Sequence, residues 1–179
     1  MTHYGGKDLA RSFRQVRGNT IQTAEDVPED KYGFTASPDT RSIGATLAHI
    51  ATSTGYQDSI QRSKATDLKD VNFMELFQKF SAEEAKPRTK AETIAYLKSQ
   101  GEGFAFFLEG LSDEFLAESV AMPPGAEPAT KTRLEMLLSP KEHEMHHRGQ
   151  LMMLQRMVGL VPHLTRQMQE RMAPTSPAS

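Results

Sequence analysis

The chain holds 179 residues with a net charge of −2, 37% hydrophobic residues and no cysteine. A near-neutral balance with no basic cluster argues against nucleic acid as a direct partner, and no apolar run approaches the roughly 18 residues that a membrane helix requires. Without cysteine there is no disulfide framework, zinc ribbon, iron–sulfur cluster or cysteine nucleophile, so a metal would have to be held by His, Asp or Glu.

The opening "MTHYGGKDLARSF" lacks the basic-then-apolar layout of a secretory signal, which makes the cytoplasm the expected location. Leu9, Phe13, Val16 and Thr20 recur at three- and four-residue spacings and predict a first helix over 7–25. "VPEDKYGFTASPDTR" reads as a connection, after which a second helix begins beyond Asp39 or Thr40, with Ile43, Leu47 and Ile50 on one face. From 63 to 89 the pattern weakens to a long crossover in which "VNFMELFQKF" forms a short helical piece and "SAEEAKPRTK" a solvated surface. Ile94, Leu97, Phe104, Phe107, Leu108 and Leu111 predict a third helix over 90–111. Gly101 and Gly103 inside it each cost about 1 kcal/mol relative to Ala, which points to close approach of another helix.

"SDEFLAESVAMPPGAEPATKTR" reads as a loop or small hairpin, and the last helix starts near Lys131. Ser139-Pro140-Lys141-Glu142 has the order of an N-cap, a first-turn proline and a capping-box Glu, so that helix either restarts or kinks there. Gly159 and Pro162 end it, "HLTRQMQERM" adds another amphipathic turn or two, and "APTSPAS" is expected to be disordered. The expected fold is all-α, a four-helix bundle with a long crossover between the second and third helices. Residues 1–162 form the expected domain and 163–179 a C-terminal extension.

Three of the six histidines, His143, His146 and His147, fall within "KEHEMHHRGQ" on the last helix. Residues four apart share a helix face, so His143 and His147 can reach one ion, while His146 lies about 60° round the cylinder and borders such a site. An HxxxH pair alone fits structural histidines equally well. A third ligand should come from a different helix, and among the remaining histidines only His49, in "TLAHIATS", sits inside a strong helical pattern; His3 and His163 are poorly placed. Ser42, Ala45, Thr46, Ser53 and Tyr56 share the His49 face, and such small or polar neighbours leave room for an ion and a ligand.

"LAHIA" together with "EHEMHHRGQLMMLQRMVGLVP", and the entry "VPEDKYGFTASPDTRSIGATLAHI", resembles the DinB-like (DinB/YfiT-like) family of four-helix metalloenzymes, which is related to mycothiol-dependent maleylpyruvate isomerase. The resemblance runs from the first helix to about Pro162. It implies a metal triad at His49, His143 and His147, a divalent nickel or zinc ion, and a homodimer. Ser139-Pro140, one turn before His143, departs from the apolar approach of many relatives and bears on the aim of that ligand.

Three neutral imidazoles leave a coordination position open, as catalytic sites do. The expected function is a divalent-metal-dependent enzyme acting on a small organic molecule by thiol transfer or thiol-assisted isomerisation, with an external low-molecular-weight thiol. The alternatives are hydrolysis through metal-bound water, or a non-catalytic metal-binding stress or scaffold dimer. His146 is a candidate acid or base at the rim, Gln150 a candidate to orient a ligand or a substrate carbonyl, and Tyr56 a candidate substrate-facing hydroxyl. Each has a structural alternative: support or packing for His146, an interhelical hydrogen bond for Gln150. Arg148 is expected to pair with Glu144, and Met152, Met153 and Met157 to pack in the core, the alternative being that they line a pocket.

Overall fold

The computed structural model describes residues 4–173. Of the stretch expected to be disordered, 173–179, all but Ala173 lies outside the described residues, as does His3. Four long helices make the body: α1 (Gly6–Asp26), α2 (Ile43–Ser63), α4 (Lys90–Glu109) and α6 (Arg133–Met157). The crossover carries α3 (Phe73–Glu84), and α5 (Asp113–Ala117) precedes a hairpin of β1 (Ser119–Ala121) and β2 (Thr130–Thr132). A last helix, α7 (His163–Met172), follows Pro162. The architecture is the all-α four-helix bundle expected, with α1 and α2 each packed against both α4 and α6.

Local chemistry sets the boundaries. Ser42 caps α2 by accepting from the Ala45 N–H at 3.2 Å, so the helix begins at Ile43 rather than directly after Thr40. Thr89 with Glu92 and Thr132 with Glu135 form reciprocal capping boxes on α4 and α6. The α6 cap corrects the reading of Ser139: the helix does not restart there but runs unbroken through a buried Pro140. Proline has no N–H to offer the carbonyl four residues back, and the buried Met136, Leu137 and Pro140 seat that turn in the core. The hairpin expected before α6 is present as a short antiparallel pair with Val120 opposite Lys131.

Of three apolar clusters among the described residues, one, of Ile60, Leu68, Val120 and Met136, ties the crossover and hairpin to α2 and α6, and two fill the length of the bundle. Leu9, Phe13, Phe104, Leu108 and Leu137 occupy one end, and Ile43, Leu47, Ile50, Leu97, Leu151 and Leu154 the other. Between them lies a buried ion pair. Arg17 of α1, 3% exposed, donates from Nε to both carboxylate oxygens of Glu144 on α6 at 3.0 Å. It also donates to the Leu97 carbonyl of α4 at 2.9 Å and the Ile50 carbonyl of α2 at 3.3 Å, touching all four bundle helices.

The arginine stem explains one of the two helical glycines. A Cβ at Gly101 would lie 2.7 Å from Arg17 Cγ, whereas a Cβ at Gly103 would meet nothing within 4 Å, so the expected close approach holds at Gly101 only. Because Arg17 is fixed by its hydrogen bonds, it cannot swing away. Gly101→Ala is therefore expected to destabilise by about 1–3 kcal/mol despite the better helix propensity of alanine. Gly103→Ala, in open space, should stabilise by a few tenths to about 1 kcal/mol. Urea unfolding of the two variants side by side checks both signs.

Candidate metal centre

His49 stands on the second turn of α2, and His143 and His147 stand one turn apart on α6, which packs against α2. His143 Nε2 lies 3.3 Å from His49 Nε2 and 3.1 Å from His147 Nε2. One ligand atom from each of the three residues falls within 4.8 Å of the others. All three side chains are half-buried. Donors about 2.0–2.1 Å from one tetrahedral ion stand about 3.3 Å apart, so the spacing of the Nε2 atoms suits a zinc-sized cation.

The outer nitrogens fix which ring positions carry protons. His49 Nδ1 donates to Glu84 Oε2 at 2.7 Å, and in the neutral imidazole that tautomer leaves Nε2 as a lone pair. His147 Nδ1 donates to Gln150 Oε1 at 2.8 Å, which turns its Nε2 inward as a lone pair as well. His143 Nε2 can offer at most one proton to these two acceptors. Three converging imidazole nitrogens therefore cannot all be satisfied among themselves, and a cation at their centre would satisfy every one.

Burial pushes the His143 pKa down to about 4, helped by the neighbouring His147, His49 and His146 and by the Arg41 guanidinium. Burial also lowers His147, with the Gln150 hydrogen bond opposing it. Both imidazoles are thus neutral near pH 7, the form in which they ligate metals.

Glu84 comes from α3, within a stretch read from sequence as solvated surface, and that reading is corrected here. Its second oxygen accepts from Arg41 Nε at 3.0 Å, so the carboxylate links Arg41 to His49. The close seating of α3 depends on Gly55 of α2: a Cβ there would stand 2.3 Å from the Phe80 ring. No periodicity marks Glu84, because its partner lies 35 residues away and only packing of the crossover joins them. Carboxylates that hold the outer nitrogen of a ligating histidine typically contribute tenfold to a hundredfold in metal affinity, and Glu84→Gln is expected to weaken zinc binding by about that factor. Competition with a chromophoric chelator measures it; an unchanged affinity would remove Glu84 from the site.

The remaining candidates take distinct places. His146 is exposed, its ring centroid 5.0 Å from that of His147, and its Nε2 accepts from Gln150 Nε2 at 3.3 Å. Gln150 thus bridges His146 and His147. Tyr56 stacks on Phe80, centroids 4.6 Å apart, and shares a cleft of about 340 Å³ with His49, Glu84, Arg41, Phe77 and Ser81. A second cleft, of about 680 Å³, is lined by Arg41, Thr46, His147, Gln150, Met153 and Met157. Met153 and Met157 are 61% and 54% exposed, so they form a cleft wall rather than core. Arg148 donates to the Val16 carbonyl at 3.3 Å instead of pairing with Glu144, whose carboxylate is taken by Arg17.

The sequence model of the DinB superfamily matches residues 12–151. Comparison with curated proteins returns no match. Among solved structures, the DinB-like protein YjoA of Bacillus subtilis is similar with a TM-score of 0.63, covering 84% of this chain and 92% of its own, at 22% identity. YfiT of Bacillus subtilis, described as a probable metal-dependent hydrolase with an unusual four-helix bundle topology, is similar with a TM-score of 0.66, covering 89% of this chain and 91% of its own, at 13% identity. At such identities the likeness concerns the fold.

Proposed function

The chain belongs to the DinB superfamily, and from that premise we propose that it is a divalent-metal-dependent enzyme acting on a small organic molecule at His49, His143 and His147. The observation that carries the reading is the convergence of three Nε2 atoms, two of them turned inward as lone pairs by Glu84 and Gln150. A zinc or nickel ion held there would supply Lewis acidity to water, a thiol or a substrate oxygen. Gln150 fixes the His147 ring, and exposed His146 stands where it can accept or return a proton at the rim. Tyr56, across the smaller cleft, offers a hydroxyl to a bound molecule.

Two chemistries use such a site. Hydrolysis is supported by the likeness to YfiT, itself described as a probable metal-dependent hydrolase. Transfer or isomerisation with an external low-molecular-weight thiol is supported by the open cleft beside His147 in a chain that has no cysteine of its own. The same reading places the protein in the cytoplasm as a homodimer, and no described helix is long and apolar enough to cross a membrane.

Elemental mass spectrometry on untagged protein tests the metal, with nickel and zinc offered during purification and about one ion per chain expected. Turnover of a panel of activated esters, amides and electrophiles, with and without added thiol, then separates the chemistries. Metal-dependent turnover without thiol means hydrolysis, and turnover only with thiol means transfer. Stoichiometric metal with no turnover in either panel would favour a metal-binding scaffold.

A further inference from the structure

The larger cleft has a chemistry of its own. Arg41 is the one residue that lines both clefts, and its side chain is 49% exposed. Glu84 accepts from its Nε at 3.0 Å, which leaves the Nη1/Nη2 edge of the guanidinium without a partner among the described residues. That edge is a planar two-donor fork suited to a carboxylate. Among the described residues, the only carboxylate on the wall of the larger cleft, Asp39, accepts from the Ser37 hydroxyl. Arg41 against Glu84 and Asp39 leaves one net negative charge, which a divalent ion at the histidines would turn to one net positive. Farther along the wall, Met153, Leu154, Met157 and Ala36 present apolar surface, and the methionines are open to solvent. A volume of about 680 Å³ is in the range of small-molecule sites.

We infer that the molecule handled at this site is a small carboxylate with an apolar body, its head on the Arg41 fork beside the histidine centre and its body against Met153 and Met157. The inference rests on the functional reading above, since it names the class of substrate for that site. A headgroup alone would leave the methionine wall wet, and an uncharged apolar molecule would leave the guanidinium fork unpaired. Met side chains adapt to irregular apolar shapes, so the wall selects an apolar body without dictating its outline.

Octanoate, octanol and inorganic phosphate serve as probes in isothermal titration calorimetry on zinc-loaded protein, with zinc content measured in every sample. Octanoate is expected to bind at least tenfold tighter than either of the others. Arg41→Met and Met153→Asp should each weaken octanoate at least tenfold with zinc retained. Octanol binding as tightly as octanoate, phosphate binding more tightly, or indifference to both substitutions in zinc-loaded protein would overturn the inference. Wild type that takes up no zinc would instead overturn the functional reading. In that protein, octanoate binding that still depends on Arg41 would uphold the cleft, and its absence would sink both.

Discussion

Replacing His143 by alanine is expected to abolish stoichiometric zinc or nickel binding and, with it, any metal-dependent turnover. Its Nε2 is the atom that stands within 3.3 Å of both other donors, so its loss leaves His49 and His147 with no third partner between them. Structural zinc sites bind with about 10–16 kcal/mol spread over four ligands, which makes one ligand worth about 3 kcal/mol, or roughly a hundredfold in affinity. The bundle should stay folded, because His143 is half-buried and belongs to none of the three apolar clusters. Thermal unfolding supplies the second readout. At a free zinc concentration about a hundred times the dissociation constant, binding adds about 2.7 kcal/mol to the wild type, a rise of about 5–10 °C for a domain of this size. His143→Ala, its dissociation constant raised about a hundredfold, should keep only about 0.4 kcal/mol of that, a rise of about 1 °C, and His49→Ala and His147→Ala should behave alike. His146→Ala should keep the ion, since His146 points to Gln150 rather than to the triad. Metal retained in full by the triad variants would end the metalloenzyme reading.

Glu144→Gln is expected to cost about 3–5 kcal/mol, because it leaves the Arg17 guanidinium buried without its counter-charge. Against a total stability of about 5–15 kcal/mol, that is enough to unfold much of the population in mild denaturant. Replacing both partners by apolar residues, Arg17→Met with Glu144→Leu, removes two buried charges together and should restore most of the loss. Urea unfolding of Arg17→Met, Glu144→Leu and the double variant gives the coupling between the sites, with Glu144→Gln measured beside them. If Glu144→Gln alone is neutral, the pair contributes nothing to folding and the carboxylate must have another use.

The bundle was legible because its four long helices carry apolar stripes at helical spacing, and two of the three histidines were legible from their four-residue spacing. His49 could be named because the other histidines outside the last helix had no strong helical context. Glu84 was hidden for the opposite reason: its role comes from how the crossover packs, and its neighbours Glu83 and Lys86 look like ordinary surface. The Arg17–Glu144 pair did leave a trace that charge-based reading passes over. Arg17 falls four residues after Phe13 inside the apolar stripe, and Glu144 falls midway between Leu137 and Leu151 at seven-residue spacing, where a core residue is due. Proline 140 misled in the other direction, since a local cap pattern at Ser139 was outweighed by the capping box at Thr132 and by tertiary packing.

The three histidines stand on two helices packed in the body of the fold, whereas much of the wall around them belongs to connections. Ala36, Asp39, Thr40 and Arg41 come from the segment between α1 and α2, and Phe77, Ser81, Glu84 and Ala85 from the crossover. On the proposed function, specificity and reactivity fall to separable parts of the chain. Substitutions, insertions or deletions in the two connections can change what enters the site while the nitrogen atoms keep their places. The Glu84–Arg41 link joins the two connections to each other, and because Glu84 also holds His49, a change at Arg41 reaches the histidines through that carboxylate. A scaffold divided in this way can acquire new substrates without rebuilding its reactive centre.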